Sequence, residues 1–215
     1  GFGGLVLCAK PEEAGDWVKR AKAAGRAKDL IIFNTENSFR FNPLQFEADQ
    51  FKTSKHGSTE NLLQILKELC ETDGKSGDDP YWTQSRDKLF TNTIDLMQLA
   101  DIEISFSSLH STIISFVKEE AVQTMLDCAL ERVATMSKSR QKDYMMIRNY
   151  FKNEWLTLPE KILETIKSLA TNAIDPFARG AIRDLFSTTS TITPEALGEG
   201  KIIIVDIPAI TFAAG

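Results

Sequence analysis

Three short runs of consecutive apolar residues, two near the start of the chain and one near its end, most strongly constrain the fold. They are Leu5–Cys8, Leu30–Phe33 and Ile202–Val205. Runs of this length without polar alternation are typical of parallel strands that are covered on both faces. Between about 53 and 186 the strand signal is almost absent, and apolar residues recur at helical spacing. The sequence therefore predicts strands that bracket a helical region.

We expect three zones. Residues 1–52 have the strand, helix, strand order of a parallel crossover, which needs further strands from elsewhere to form a stable sheet. Residues 53–190 form an all-α domain, and residues 191–215 return to the α/β part with one buried strand. Because the strands lack sheet neighbours, we expect the α/β part to be less stable than the helical part.

The first helix is predicted to begin at Pro11 and to stop at Gly25, since proline favours a first helical position and glycine a helix end. One face carries Ala14, Trp17, Val18 and Ala21. In the helical zone, one amphipathic helix contains Leu62 to Cys70 and a long one starts near Tyr81. Further helices are expected at 108–117, 119–136, 139–156, 159–173 and about 176–186, and a final turn runs from Thr193 to Leu197.

Composition excludes some classes of protein. With 215 residues, a net charge of −5, 42% hydrophobic and 26% charged residues, the chain is an ordinary globular protein, not one that coats nucleic acid through bulk charge. A local basic patch remains compatible with these values. The cysteines Cys8, Cys70 and Cys128 are scattered, and only two histidines occur, so we expect no metal site. Three reduced, largely buried thiols indicate a cytoplasmic location.

A basic stretch from Arg132 to Lys152 is the main candidate for binding. It contains one acid, Asp143, with aromatic residues interleaved or adjacent. A basic helical surface with aromatic residues can follow a phosphate backbone. The alternative, which we slightly prefer, is a solvated helix face whose aromatic side chains pack inward. The candidate DNA-binding or partner-binding residues are Arg140, Lys142, Arg148 and Lys152.

The ends of the predicted strands offer weaker candidates. An apolar strand that ends in Asp206 has the form of a Walker B strand, but Ile207 and Pro208 stand where a catalytic Glu is usual, so a structural role is preferred. Gly1–Gly4 lacks the phosphate-loop pattern and precedes a strand, which favours a tight turn. Lys10 lies at the carboxyl end of its strand, where ligands of α/β proteins bind, and is a marginal candidate.

Two further features are interpreted as structural. The loop Phe39–Leu44 contains an Asn-Pro turn and is expected to anchor the chain as it leaves the sheet. His110 is more typical of a capped or core histidine than of a catalyst, because two histidines far apart in sequence support no catalytic triad.

Several of these segments together resemble one family. The segments are Gly3–Glu12, Trp17, Gly25-Arg26, Asp29–Phe33, Arg40–Leu44, Asp79–Trp82, Pro176-Phe177, Ile182–Ser187, Ile192–Glu195 and Gly200–Pro208. Their order and spacing resemble the region after the Walker A helix in the coupling ATPases of type IV secretion systems, which belong to the hexameric FtsK/HerA-like DNA motors. The resemblance spans essentially the whole chain. It implies an α/β P-loop NTPase core, here as parallel strands, with a large all-α insertion, and a predominantly helical chain.

The resemblance implies a function for the parent protein. Such motors hydrolyse ATP with Mg²⁺, form homo-hexamers at the cytoplasmic face of the bacterial inner membrane, and move single-stranded DNA with relaxase-type cargo to the proteins of a secretion channel. The alternatives are a pilus-assembly secretion ATPase of the same superfamily, and a helical module that binds DNA or a relaxase without catalysis.

The same resemblance places the nucleotide-binding motifs outside this sequence. Walker A is expected before Gly1, and the Walker B Asp-Glu pair after the strand that ends at Asp206, which assigns Asp206 to a different core strand. The chain starts without Met and ends on apolar and small residues. We therefore expect an internal piece that has no catalytic or nucleotide-binding residue, needs no cofactor and is inactive alone.

Overall fold

The computed structural model describes residues 1–10, 12–50, 58–72 and 79–207. The chain divides into two compact units. Gly1–Asn42 and Gly180–Gly215 form one, called here the α/β unit, and Pro43–Arg179 form the other, called the helical unit. The described residues are predominantly helical and contain one small parallel sheet. None of their helices has both the length and the apolar character that crossing a membrane requires.

The sheet of the α/β unit consists of β1 (Gly4–Leu7), β2 (Leu30–Phe33) and β3 (Ile202–Val205). All three strands predicted from the sequence are confirmed. The strands are parallel and follow the order β1-β3-β2, so the last strand in sequence lies in the centre. Leu5, Ile203 and Ile31 share one level of the register, and Leu7, Val205 and Phe33 share another. Residues on one level of a parallel sheet point to the same face.

One face of the sheet is covered by α1 (Glu13–Ala23). Ile204, which is fully buried, packs there with Cys8 and Ala14, and Val6 and Val18 lie at the margin. Trp17 was predicted to lie on this buried face, but its side chain is 41% exposed and the Arg20 guanidinium lies 5.1 Å from its ring centroid. The prediction for Trp17 is therefore wrong.

The opposite face is covered by α9 (Gly180–Phe186) and α10 (Glu195–Gly198). Phe33 and Ile203 pack against Leu185 there, and Phe39 and Phe41 add their rings at the margin. The Arg40 amide donates to Thr191 Oγ1 at 2.8 Å and the Asn42 amide donates to Ser190 Oγ at 2.8 Å. The predicted anchoring role of this loop is therefore confirmed.

Gly3 precedes β1 at a position that has no room for a side chain. A Cβ at this position would lie 2.0 Å from the Leu197 carbonyl oxygen, closer than any side chain tolerates. Gly3 leads directly into β1, where the Gly4 amide donates to the Lys201 carbonyl at 3.0 Å. The guanidinium of Arg26 also holds the segment before β1, because its Nη1 donates to the Phe2 carbonyl at 2.7 Å.

The helical unit contains seven α-helices among its described residues. They are α2 (Pro43–Gln50), α3 (Ser58–Thr72), α4 (Pro80–Leu99), α5 (Phe106–Ser115), α6 (Glu119–Val133), α7 (Lys138–Asn149) and α8 (Glu160–Ala178). A π-helical turn over Tyr150–Glu154 and a 3₁₀ turn over Trp155–Thr157 follow α7. The predicted boundaries of the zones, 52/53 and 190/191, lie about ten residues after those of the compact units.

The core of the helical unit lies around α4, which packs against α3, α6 and α8. Asp79 caps this helix by accepting from the Tyr81 amide at 3.0 Å, and Pro80 occupies the first turn. An apolar stripe of α4 is fully buried at Leu89, Phe90, Ile94 and Met97. Burial of such a stripe is the main source of helical stability in a globular protein.

Several helix boundaries differ from the prediction. The helix predicted at 108–117 begins at Phe106, because Ser105 and Ser108 form a reciprocal capping box. The helix predicted at 139–156 ends at Asn149, where the π-helical turn begins. The helix predicted at 159–173 continues to Ala178 and includes Pro176.

The cysteines are all free among the described residues, but they are not all buried. Cys8 is buried, Cys70 is half-buried and Cys128 is exposed, so the expectation of largely buried thiols is wrong for Cys128. The predictions that concern Pro11 and Pro208 lie outside the described residues.

Candidate functional site

The basic stretch forms α7 and the turns that follow it. Ser137 caps the helix by accepting from the Arg140 amide at 3.4 Å. The aromatic side chains of the stretch point into the protein: Tyr144, Tyr150, Phe151 and Trp155 are all buried. Burial raises the pKa of the Tyr144 and Tyr150 hydroxyls. These rings are therefore part of the core and do not form a stacking surface for bases.

The four candidate cations have different surroundings. Lys152 is largely covered, with 23% of its side chain exposed, and its Nζ lies 3.2 Å from Glu119 Oε1. Arg140 is exposed, and its Nη1 lies 4.0 Å from Asp143 Oδ2. Lys142 and Arg148 are exposed, and no acid in the described ranges lies within 4.0 Å of either charged group. Only these last two are free to meet a phosphate without breaking an ion pair.

The positions of these cations along α7 show which of them share a face. At about 100° per residue, Arg140 and Arg148 lie about 80° apart around the helix axis, whereas Lys142 and Arg148 lie about 120° apart. Arg140 and Arg148 thus belong to neighbouring sides of the helix. Lys142 points to the side opposite the buried Tyr144 and Ile147. The basic residues are distributed around the helix axis and do not form one flat patch.

The carboxyl ends of the strands carry the second group of candidates. Asp206 follows the central strand, and its amide donates to the Phe33 carbonyl at 3.0 Å. Burial raises the pKa of the Cys8 thiol, and the nearby negative charges of Asp206 and Glu13 raise it further. Lys10 is exposed, and the Ala9 amide beside it donates to Glu13 Oε2 at 2.8 Å. At this edge of the sheet the Cys8 thiol therefore lies near the carboxylates of Asp206 and Glu13.

His110 lies within the helical unit and forms a contact that the sequence did not reveal. Its Nε2 lies 3.1 Å from Asp175 Oδ1, and 13% of its side chain is exposed. Asp175 also pairs with Arg179. The largely covered histidine thus links α5 to α8, in agreement with its interpretation as a core residue.

Asp95, which no sequence pattern singled out, lines a cavity of about 650 Å³ formed by residues of α4, α7 and the π-helical turn. Ile94 and Leu96 on either side of it are fully buried. Thr59 Oγ1 donates to Asp95 Oδ1 at 2.5 Å. An acid between two core residues was the available signal, but periodicity alone does not tell whether such an acid faces solvent or a cavity.

Comparison with protein families, with curated proteins and with solved structures finds no match for this chain.

Proposed function

We propose that this chain is the part of a DNA-transferring P-loop ATPase, of the coupling type found in type IV secretion, in which a helical unit is inserted into the motor core. The observation that carries the proposal is the place of β3. This strand follows the helical unit in sequence and pairs with β1 and β2, which precede it. The helical unit is therefore an insertion between strands of one parallel sheet.

The sequence resemblance supports the same arrangement. It attributes the segments around β1 and β2 to the motor core, the Asp79–Trp82 segment to the start of a helical insertion and the segment around β3 to the return to the core. In the parent protein, ATP and Mg²⁺ bind to motifs in the flanking sequence and between the subunits of a homo-hexamer. Hydrolysis there moves single-stranded DNA and relaxase-type cargo toward a secretion channel at the cytoplasmic face of the inner membrane.

The test begins with the complete reading frame. We expect GxxxxGK followed by Ser or Thr before Gly1, and an apolar run that ends in Asp-Glu after Gly215. The purified parent protein should hydrolyse ATP in the presence of Mg²⁺ and DNA, and replacement of the phosphate-loop lysine should abolish turnover. The 215-residue chain alone should show no turnover. Absence of both motifs from the reading frame would reject the ATPase.

A second candidate function, a helical module that binds DNA, is favoured by the two cations of α7 that lack an acidic partner in the described ranges. We expect Lys142→Glu and Arg148→Glu together to weaken binding of single-stranded oligothymidylate by the 215-residue chain. Loss of two phosphate contacts lowers the salt slope of the binding constant by about 1.4, because single strands contribute about 0.7 per contact.

Fluorescence anisotropy at several salt concentrations measures both quantities. Lys161→Glu on α8 is the matched control, because Lys161 is also exposed and has no acid within 4.0 Å among the described residues. If the double variant binds as tightly as the unmodified chain, with the same salt slope, α7 does not contact DNA.

A further inference from the structure

The cavity of the helical unit has the size of a ligand site. Its volume of about 650 Å³ falls within the range of protein binding pockets, which is about 300 to 1,000 Å³. Lys88 and Asp95 of α4 contribute to one wall, and Met145 and Met146 of α7 contribute to the other. Tyr150, in the π-helical turn, lines it as well.

Asp95 is the feature of this cavity that most requires explanation. Burial raises the pKa of its carboxyl group, and the negative charges of Glu60 and Asp143 raise it further. The hydrogen bond from Thr59 and the positive charge of Arg140 lower it by less, so the pKa is raised overall. No cation of the described chain lies within 4.0 Å of the carboxylate. Asp95 is half-buried. A carboxylate that is partly shielded from water and has no counter-ion is destabilising, and a cation from outside would offset the cost.

The cations that line the cavity already have partners. Lys88 Nζ forms an ion pair with Glu154 and lies 5.3 Å from the ring centroid of Tyr150. Arg140 Nη1 lies 4.0 Å from Asp143 Oδ2. The lining thus has three carboxylates and two cations. An excess of negative charge repels phosphate and attracts a cation.

Two methionines provide the apolar part of the surface. Met145 is 57% exposed and Met146 is 72% exposed. The core of the protein does not use these side chains, since α7 is buried through Tyr144 and Ile147. Flexible, polarisable methionines are common on surfaces that bind other proteins.

The backbone at one end of the cavity is also unusual. Tyr150 and Glu154 begin and end a π-helical turn, and both line the cavity. π-helical turns are rare, and they are frequently found at functional sites. The turn widens the helix where these side chains meet the cavity.

We propose that the cavity binds a lysine or arginine side chain presented by a segment of another protein, with the cation at Asp95 and the aliphatic stem against Met145 and Met146. The charge excess selects a basic protein segment over nucleic acid. The methionines extend the apolar contact beyond a single side chain, which favours a polypeptide over a small amine. The site is separate from the ATPase and DNA-binding proposals, because it uses neither the sheet nor Lys142 and Arg148.

The test uses the 215-residue chain with ¹³C-methyl-labelled methionine. Nα-acetyl-lysine methylamide is titrated at millimolar concentrations and compared with Nα-acetyl-norleucine methylamide, which has the same stem without the ammonium group. We expect the lysine probe to shift the Met145 and Met146 methyl signals in a saturable way and to leave Met125, which does not line the cavity, unchanged. Met→Leu variants assign the signals.

Asp95→Asn should weaken binding of the lysine probe about tenfold, since a hydrogen bond to a charged group is lost. Asp127→Asn, a change of the same chemistry at an exposed site on α6, should leave it unchanged. Equal shifts with the norleucine probe, no shift with either probe, or unchanged binding in Asp95→Asn would each overturn the proposal. Saturable shifts of the same signals by oligothymidylate would assign the cavity to nucleic acid instead.

Discussion

The two units of the chain bury their apolar residues to very different extents. The helical unit encloses large side chains completely, among them Phe90, Phe116 and Phe151. In the α/β unit, by contrast, Leu5 is 55% exposed and Leu7 is 72% exposed, although both belong to a strand. Within the described residues, β1 pairs only with β3, so its other edge is open.

This difference follows from how each kind of element satisfies its backbone. A helix forms its hydrogen bonds internally and needs only an apolar stripe to be covered. A parallel strand leaves backbone groups unpaired along any edge without a neighbour, and parallel sheets are usually covered on both faces. Each strand here has four residues. The helical unit therefore buries its apolar stripes, whereas β1, among the described strands, leaves one edge unpaired and exposes two leucines.

Two tryptophan substitutions, one in each unit, should differ most in their effect on the free energy of unfolding. Trp155 is 1% exposed, and its indole N–H donates to the Phe116 carbonyl at 2.9 Å. Trp155→Ala should lower the free energy of unfolding of the helical unit by about 3 to 5 kcal/mol. Trp17→Ala, the same change on the exposed side of α1, should cost less than about 1 kcal/mol. Urea denaturation followed by circular dichroism measures both, and equal losses would contradict the comparison.

Two glycine substitutions test how tightly the α/β unit is packed beside β1. Gly3→Ala places a Cβ 2.0 Å from the Leu197 carbonyl oxygen, so the backbone must shift, and we expect a loss of about 1 to 3 kcal/mol. Gly4→Ala meets no heavy atom within 4 Å and should change stability by less than about 0.5 kcal/mol. The loss of the β1 and β3 amide signals with urea in NMR spectra reports on this unit. A Gly3→Ala variant as stable as Gly4→Ala would show that the contact between Gly3 and the Leu197 carbonyl is loosely packed.

A substitution of Asp95 should change the free energy of unfolding least, because it affects one charged group within the well-packed helical unit. Burial raises the pKa of the Asp95 carboxyl, so the folded chain binds the proton more tightly than the unfolded chain. This contribution to stability grows as the pH falls through the raised pKa toward the ordinary value of about 3.9 and is absent at neutral pH. Asp95→Asn should therefore be more stable than the unmodified chain at pH 7, by on the order of 1 kcal/mol.

The difference in stability between Asp95→Asn and the unmodified chain should become smaller as the pH is lowered. Urea midpoints of the two proteins, measured at neutral pH and near the ordinary aspartate pKa, test the sign. A variant that is less stable than the unmodified chain at neutral pH would mean that the carboxylate has a partner that stabilises its charge.

Local signals in the sequence were sufficient for most elements but not for their arrangement. Leu30–Phe33 was predicted with the residues that β2 has, because a short β-rich apolar run needs no distant information. The central position of β3 was not predicted, since it depends on pairing with strands far away in sequence. The start of α5 was missed because Ser108, not the more usual Glu or Gln, completes the capping box.

The candidate sites were harder to predict for a related reason. The preferred interpretation of the basic stretch, with its aromatic side chains packed inward, is confirmed. Periodicity did not show that Lys152 pairs with Glu119 or that Asp95 faces a cavity, because both facts depend on how separate helices pack. The exposed position of Trp17 was missed for the same reason. Tryptophan side chains are highly buried on average, and only the packing of α1 shows that this one is not.

Native-state hydrogen exchange of the 215-residue chain tests the contrast between the units most directly. The amides of α4 and α8 should exchange at least about 100-fold more slowly than those of β1 and β3, because a unit with few buried contacts opens without global unfolding. The fastest exchange in the sheet is expected in β1, beside Leu5 and Leu7. Equal protection in the strands and in the core helices would contradict the account and show that both units unfold as one.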